Sequence, residues 1–506
     1  MRLPRLTRSV TTPPQPCPDA TLVPTGQGRA VSPLFRHHRG IRLSSWLYIF
    51  LWAATLLDQF AGLPAAGRTA GLALVAFLLL EFPRQRRYAQ VFFLAMAALG
   101  ATGLALVAMR GGDPITLFLN AWRRGAVYAS FYLALTTLRE AAETSPLVRR
   151  CGQHLVAQPP GRRYTALTAG GHVFGIILSY GAIDLLGAMV MRANTLAAAG
   201  TEAVRKLRAR RMLMATYRGF AVMNCWSPLN IMTAVVATAV PAAPMARLLP
   251  IAFIVSVGMC ALGWLDDRLA NPPAATPIRR PESAETWSVH FGVIALVALV
   301  MVLAEGSSAL LGITLVTGVT IVVPIVAVSW ITTQSQIPPQ SQETPQPEPL
   351  AARAQKFRRR ISSFRGEANV LGWSGFIGVA IGGALPAGGL APFLTHLPPL
   401  LIPLSVPLLL MASGQIGLNP VAAVALLGAA IPNPASLGIS PAVLAFACML
   451  GWGVGISVTA MSASAIATGR WLEVSPFTVS AIWNARFTVF CLLLSWIAIA
   501  ALSFCF

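Results

Sequence analysis

Charged residues are scarce in this chain. Only 11% of its 506 residues are Asp, Glu, Lys or Arg, against 55% hydrophobic residues, and the mean hydropathy is +0.66. Soluble domains carry about 25% charged residues, so this chain has too few of them to cover a water-facing surface. The low charge argues against an ordinary soluble protein and predicts a chain embedded in a lipid bilayer.

Catalytic and metal-binding motifs are also missing. The seven Cys form no CxxC pair and are interpreted as small apolar packing residues. No HExxH, GxSxG or GxxxxGK[ST] motif occurs, so the sequence predicts no catalytic residue, no metal site and no ATP-binding loop. No cofactor is expected. Residues 1–42 lack an apolar core, which is not the pattern of a secretory signal peptide, and they are predicted to be a disordered basic cytoplasmic tail.

Apolar stretches long enough to cross a membrane recur along the chain. A span needs about 20 apolar residues, and a helix satisfies its own backbone hydrogen bonds in lipid. The sequence therefore predicts an all-α polytopic membrane protein with eleven transmembrane helices. Their predicted ranges are 43–60, 65–82, 91–109, 119–138, 219–240, 246–265, 287–304, 308–330, 370–390, 441–467 and 487–506.

Two further apolar stretches, 165–191 and 401–432, fit either a span or a re-entrant hairpin, because both are rich in Gly, Pro and small residues. Cytoplasmic loops are enriched in Lys and Arg, and the loop 192–218 is densely basic. That loop lies inside only if 165–191 enters the membrane and returns. Both stretches are therefore interpreted as hairpins, with the N-terminus cytoplasmic and the C-terminus outside.

This topology accounts for the net charge of +21, because it places most of the basic residues in cytoplasmic loops. Only five of the 38 Lys and Arg then lie outside, so the charge does not require a nucleic-acid partner. The expected partners are the lipid bilayer and a small-molecule substrate, with a homodimer left open. The expected location is the inner (cytoplasmic) membrane of a bacterium.

The two halves of the chain repeat one plan. Each contains three spans, a hairpin and two further spans, and the odd number of spans turns the second half upside down. Inverted repeats with broken helices around a midplane site are typical of secondary transporters. The predicted units are the tail 1–42, a peripheral first helix within 43–64, a first repeat 65–286 and a second repeat 287–506 that includes a cytoplasmic linker 331–368.

Polar residues interrupt the apolar helices at matching places in the two halves. Each alone is more often a helix–helix contact, but as two matched clusters they are predicted to bind a substrate. The first cluster is Ser179 at the hairpin tip, with Ser227 and Asn230 in the next span. The second is Ser413, Gln415 and Asn419 at the hairpin tip, with Thr459, Ser462 and Ser464 in the next span.

This arrangement resembles the ion transporter superfamily, which includes divalent-anion:sodium symporters, citrate carriers and arsenite permeases. In that family a peripheral helix precedes two inverted units of five spans and a hairpin, and the helix after each hairpin is broken. The motifs are degenerate here, since neither tip reads Ser-Asn-Thr. The resemblance implies a secondary transporter of a small anionic or polar solute, coupled to H⁺ or Na⁺. It is carried by Ser179, Tyr180, Gly181 and Asp184 at the first tip, by Ser413, Gly414, Gln415, Asn419 and Pro420 at the second, and by the two polar breaks.

Two ionisable residues near the first hairpin are candidates for binding the coupling ion. Asp184 lies in the apolar run YGAIDLLGAM, where a charge costs about 2.5–3.5 kcal/mol and needs a partner or a function. It is predicted to bind the coupling cation, with a structural hydrogen bond as the alternative. His172 is a candidate proton relay, although a neutral packed ring is favoured. For Asp58 a structural role is favoured.

The leading hypothesis is a secondary active transporter that is not an enzyme. Two other classes stay open. One is a permease subunit of a larger complex, whose ATPase would be a separate protein. The other is a membrane-embedded enzyme that modifies lipids or glycans, which would need a cluster of Asp, Glu or His near one interface.

Overall fold

A computed structural model describes residues 33–271, 286–335, 350–386 and 390–505, and within these ranges the chain forms helices and loops without strands. Seven of the described helices are long and apolar enough to cross a membrane. The prediction of an all-α polytopic membrane protein is therefore confirmed. Most of the predicted tail 1–42 and part of the predicted linker 331–368 lie outside the described residues.

The first half of the chain contains a peripheral helix and then a series of long, short and interrupted helices. These are α1 Pro33–Ala61, α2 Pro64–Glu81, α3 Arg87–Met109, α4 Pro114–Glu143, α5 Pro146–Val156, α6 Pro160–Leu178, α7 Gly181–Ala193, α8 Leu196–Ala199, α9 Glu202–Met223, α10 Ile231–Ala239 and α11 Met245–Ala270.

The second half follows the same order of long helices, helical hairpin, interrupted helix and final long helix. Its elements are α12 Val289–Leu311, α13 Leu315–Ser335, α14 Leu350–Ile361, α15 Arg365–Ala384, α16 Ala391–Leu394, α17 Leu401–Gln415, α18 Pro420–Ala430, α19 Pro441–Val458, α20 Ala463–Leu472 and α21 Ala485–Ser503.

Each stretch predicted to be a hairpin is a pair of helices joined by a short turn. In hairpin 1, α6 and α7 are joined by Ser179 and Tyr180, and in hairpin 2, α17 and α18 are joined by residues 416–419. Each span predicted to carry a polar interruption is two helices. Break 1, residues 224–230, separates α9 from α10, and break 2, residues 459–462, separates α19 from α20.

Local capping explains why several helices begin where they do. Asp113 accepts hydrogen bonds from the backbone N–H groups of Ile115 and Thr116, and Pro114 occupies the first turn of α4. Such a residue satisfies backbone donors that the helix leaves free, and Pro has no N–H to satisfy. Ser440 and Pro441 start α19 in the same way.

The predicted loop 192–218 is wrong in one respect, because most of it is helical. The hydroxyl of Thr201 caps α9 by accepting from the N–H of Val204 at 3.3 Å. Glu202 in the first turn then pairs with Arg205 at 2.7 Å, where a negative charge is favoured by the helix dipole. The basic residues therefore extend α9 beyond its apolar part instead of forming an irregular loop.

The two halves meet through closely packed helices. Helices α4 and α15 cross where Gly125 faces Gly372 and Gly375, and a Cβ on Gly125 would lie 2.5 Å from the carbonyl oxygen of Gly372. We call α4 and α15 the central pair. The second piece of each broken helix contacts the hairpin of the other half: α10 packs on α18 beside Gly428, and α20 packs on α7 beside Gly187.

The orientation of these helices in the membrane can be tested by chemical labelling. In a background with Cys17 and Cys505 replaced by Ser, Lys206→Cys should react with an impermeant maleimide from the cytoplasmic side of membrane vesicles. Thr395→Cys, in the segment predicted to lie outside, should react only from the opposite side. Labelling of both positions from the same side would contradict the hairpin assignment.

Candidate functional site

The tip of hairpin 2 lies directly against break 2. The side-chain amide of Gln415 donates to the carbonyl oxygen of Val458 at 2.9 Å. A Cβ on Gly414 would overlap the hydroxyl of Thr459, so a glycine is needed for this close approach. Ser462 caps α20 by accepting from the N–H of Ala465 at 3.2 Å. The hairpin tip and the break therefore form one polar cluster.

Side chains from other helices satisfy the free carbonyl groups at the end of α19. The Tyr217 hydroxyl of α9 lies 3.1 and 3.0 Å from the carbonyl oxygens of Ile456 and Ser457. The side-chain amide of Asn484 donates to Ser457 at 2.7 Å. An interrupted helix in a membrane needs such partners, because lipid offers none.

Arg218 of α9 connects Asn484, which holds the end of α19, to helices α6 and α11. Its guanidinium donates to the Asn484 side chain at 2.8 Å, to the Tyr164 hydroxyl at 3.1 Å and to Asp266 at 2.8 Å, and the residue is 5% exposed. It also lies over the ring of Phe487. In this conformation it is the centre of a buried ion pair, and Tyr164, Asp266 and Asn484 were missed as its partners.

Break 1 is built around a histidine and a tryptophan. The indole N–H of Trp226 donates to Nε2 of His172 at 2.7 Å, and the two rings are stacked. Because indole nitrogen is only a donor, Nε2 of His172 must carry no proton. Nδ1 faces the sulfur of Cys260 at 4.0 Å. This geometry favours a neutral packed ring for His172. The role of His172 as a proton relay stays a prediction.

The remaining residues of break 1 mostly satisfy local hydrogen bonds. Asn230 caps α10 by accepting from the N–H of Met232 at 3.1 Å, and its amide contacts Asn224. The hydroxyl of Thr233 donates to the carbonyl oxygen of Ser227 at 2.7 Å. The hydroxyl of Ser227 is fully buried and makes no hydrogen bond within the described part of the chain. Ser227 is therefore the member of this cluster with a hydrogen-bonding group free for another partner.

The other predicted binding residues are divided between local contacts and the surface. Ser413 donates to the carbonyl oxygen of Leu410 at 2.9 Å, Ser464 contacts the hydroxyl of Ser462 at 3.2 Å, and Asn419 caps α18. Ser179 is exposed at the tip of hairpin 1 and has a φ of +52°, a region that costs a non-glycine residue energy. No described hydrogen bond joins Ser179 to Ser227 or Asn230.

The two breaks lie near each other because α9 and α19 pack together. Cys225 of break 1 lies against Gly453 of α19, where a Cβ would overlap its sulfur. Tyr217, two turns before break 1, reaches the end of α19. The structure thus places the tip of hairpin 2 against break 2. Break 1 lies against α19 about two turns before break 2, and the tip of hairpin 1 lies against the central pair.

Asp184 has an ion-pair partner. Its carboxylate lies 2.6 Å from the guanidinium of Arg470 and 3.2 Å from the indole nitrogen of Trp471, both at the end of α20. The Asp184 side chain is 38% exposed, so it is less buried than the apolar run around it predicts. This ion pair agrees with the alternative of a structural role for Asp184. Its role in binding the coupling ion stays a prediction. Asp58 is also paired, with Arg123 at 2.7 Å.

A polar cavity that sequence reasoning missed lies beside the tip of hairpin 1. It has a volume of about 130 Å³. Arg139 of α4 lies 4.7 Å above the ring of Tyr180, and the Tyr180 hydroxyl donates to Glu367 of α15 at 3.4 Å. The only sequence feature that could have indicated this cavity is the presence of charged residues at the ends of two predicted spans. The cavity is lined by Thr136, Arg139, Glu140, Tyr180, Arg360, Ser363, Phe364 and Glu367.

Together these elements define a polytopic α-helical membrane protein with two hairpins and two broken helices. Among solved structures, the chain is similar to the crystal structure of the Alcanivorax borkumensis YdaH transporter, which is described as having an unusual topology. The two are 15% identical, the match covers 85% of this chain and 97% of that one, and the TM-score is 0.49. No protein-family model matches the chain, and no curated protein matches it. At this level of similarity no activity follows for the chain.

The buried ion pair of Arg218 gives a test of how break 2 is held. Arg218→Met should destabilise the protein by about 1.5–3 kcal/mol, the range for a hydrogen bond to a charged group, because, among the described residues, the buried Asp266 keeps only Arg486, which lies 3.3 Å away. The matched control is Arg205→Met, whose more exposed pair with Glu202 should stabilise the protein far less. Thermal unfolding in detergent measures both variants. Equal destabilisation of the two variants would show that the buried Arg218 pair stabilises the protein no more than an exposed pair does.

The contact between hairpin 2 and break 2 can be tested with a double variant. Gly414→Ala should lower the melting temperature, because its methyl group overlaps the hydroxyl of Thr459. Thr459→Ala removes that hydroxyl and should restore most of the loss in the double variant. Melting curves of the four proteins give the coupling, and additive effects would contradict direct contact between tip and break.

Proposed function

We propose that the protein is a secondary active transporter of a small, anionic or polar solute, with H⁺ or Na⁺ as the coupling ion. The observation that carries this proposal is the repeated order of hairpin and broken helix in the two halves, with each broken helix packed against the hairpin of the other half. Inverted repeats with discontinuous helices at their interface are the plan on which many secondary transporters are built.

The packing of the two hairpins supports a protein with alternative conformations. Helix α18 packs on α15 through small residues, with Ala425 on Gly378 and Ala429 on Gly382. Helix α7 of hairpin 1 makes no comparable interface with α4 in the described part of the chain. In an inverted repeat the two contacts are equivalent, so one closed and one looser contact fits alternating access.

The proposed binding region lies between the two breaks and the tip of hairpin 2. The starts of α10 and α20 lie there, and helix N-termini favour negative groups. The free hydroxyl of Ser227 and the carboxamides of Asn230 and Gln415 add hydrogen-bonding groups. Because no unpaired cationic side chain lies among these residues, a bound anion would depend on helix dipoles and hydrogen bonds. We propose a bacterial inner membrane as the location.

A flux assay tests this function directly. The protein reconstituted in proteoliposomes should accumulate one of a panel of small organic and inorganic anions or polar solutes when an H⁺ or Na⁺ gradient is imposed. Empty liposomes are the control. Failure to move any solute without an ATPase would favour the alternative of a permease subunit.

The coupling role predicted for Asp184 has its own test. Asp184→Asn should abolish accumulation driven by the gradient while leaving downhill exchange of solute, since the carboxylate is the proposed ion ligand. Glu202→Gln is the matched control, because Glu202 also pairs with an Arg but lies at the start of α9. Unchanged gradient-driven uptake by the Asn variant would remove Asp184 from the mechanism.

A further inference from the structure

Helix α14 is held against α1 by apolar contacts and by one hydrogen bond. Ile361 is fully buried in a cluster that includes Tyr48 of α1, and Phe357 packs on the same cluster. The hydroxyl of Ser45 in α1 donates to the carbonyl oxygen of Arg358 at 2.8 Å. The last turn of α14 therefore has a fixed position beside the start of the first predicted span.

Two arginines in this turn have no acidic partner. Arg358 is half-buried and Arg359 is exposed, and neither forms an ion pair or a side-chain hydrogen bond within the described residues. Arg360, the next residue, differs because it pairs with Glu140 and Glu143. A guanidinium is planar and presents several N–H donors, which match the oxygens of a phosphate. Arg358 and Arg359 therefore offer two positive charges to a phosphate group.

Trp46 of α1 lies beneath Arg358. The guanidinium carbon of Arg358 is 5.3 Å from the centre of the Trp46 ring, within the distance of about 6 Å at which a cation and an aromatic face attract each other. Trp46 is 54% exposed. Tryptophan is enriched where the hydrocarbon of a membrane meets its headgroups, so this pair marks the headgroup level at one end of α1.

The exposed face of α1 continues from this pair as an apolar stripe. Leu43, Trp46, Phe50 and Leu57 are each more than half exposed. Their spacing of three, four and seven residues places them on one side of the helix. In a bilayer such a face contacts acyl chains, which are as apolar as leucine. A pair of unpartnered arginines and a lipid-facing stripe therefore adjoin at Trp46.

We propose that Arg358, Arg359 and Trp46 bind the headgroup phosphate of an anionic phospholipid, whose acyl chains lie along the exposed face of α1. The two arginines require a group of net negative charge, and the adjoining stripe requires long apolar chains. Phosphatidylglycerol has both. Phosphatidylcholine carries a cation beside its phosphate and should bind more weakly, whereas a free phosphate has no chains for the stripe. The proposal goes beyond transport and does not depend on it.

The test compares the binding of two lipids to the full-length protein. Purified protein in dodecyl maltoside is titrated with dioleoyl phosphatidylglycerol in the presence of an equal concentration of dioleoyl phosphatidylcholine, and native mass spectrometry counts each bound lipid. We expect the tightest-bound lipid to be phosphatidylglycerol. Arg358→Gln/Arg359→Gln should weaken this binding about thirtyfold, because each basic residue at an anionic lipid surface contributes about fivefold.

The matched control removes the same charge elsewhere. Arg86→Gln/Arg87→Gln loses two exposed arginines at the start of α3 and should bind phosphatidylglycerol as the parent protein does. Arg359→Gln alone should weaken binding about fivefold, and it replaces the double variant if that protein does not fold. Elution as a single species and an unchanged melting temperature show that each variant is folded.

The position of the bound lipid is measured at Trp46. Brominated phosphatidylglycerol quenches the fluorescence of nearby indole rings, so the quenching that is lost in Trp46→Phe reports lipid beside this ring. Arg358→Gln/Arg359→Gln should lose the same part of the quenching, because the lipid no longer occupies the site.

Four results would overturn the proposal. They are unchanged binding by Arg358→Gln/Arg359→Gln, an equal loss in the control variant, equal binding of phosphatidylcholine, and displacement of the lipid by inorganic phosphate at a similar concentration. An equal loss in the control would indicate general attraction of anions to a basic surface, and displacement would indicate a site for free phosphate. Because lipid binding is measured without transport, a failed flux assay leaves these results unaffected.

Discussion

The constraint on which this structure depends is that backbone groups freed in the middle of a membrane helix must find partners within the protein. The chain breaks two helices, and at each break it supplies those partners. Around break 2 the carbonyl groups face Tyr217, Asn484 and Gln415, and Ser462 caps the helix that follows. These partners come from α9, the start of α21 and hairpin 2, so the break itself ties distant parts of the sequence together.

The need to bring partners up to the broken helices also explains the close packing of small residues. A hairpin tip can reach a broken helix only if its backbone comes near, which explains Gly414 beside Thr459 and Gly453 beside Cys225. The same principle brings α4 and α15 together at Gly125 and Gly372. In lipid, apolar side chains gain little from associating, and close van der Waals contact is one of the forces that hold helices together. Large side chains at these positions would separate the elements that form the candidate site.

Much of the architecture could be predicted from the sequence, because hydropathy and helix-breaking residues act locally. Apolar runs located most of the long helices, and the polar residues Ser227 and Asn230 marked a break that is present. The polar partners could not be predicted in the same way, because pairs such as Arg218 with Asp266 and Tyr180 with Glu367 join residues far apart in the chain. Asp184 illustrates the limit: its apolar neighbours predicted deep burial, whereas the fold places it beside Arg470 at the end of α20.

The two hairpins illustrate how one plan can give unequal surroundings. Hairpin 2 is held by small residues against α15 and by Gln415 against its own broken helix. Hairpin 1 meets the central pair through an aromatic ring, an Arg and a carboxylate around a polar cavity. Apolar contacts between close-packed helices depend on shape, whereas contacts of charged and aromatic side chains depend on electrostatics. An inverted repeat therefore need not place its two hairpins in the same environment: a difference of a few side chains gives one hairpin a close-packed apolar contact and the other a polar contact beside a cavity.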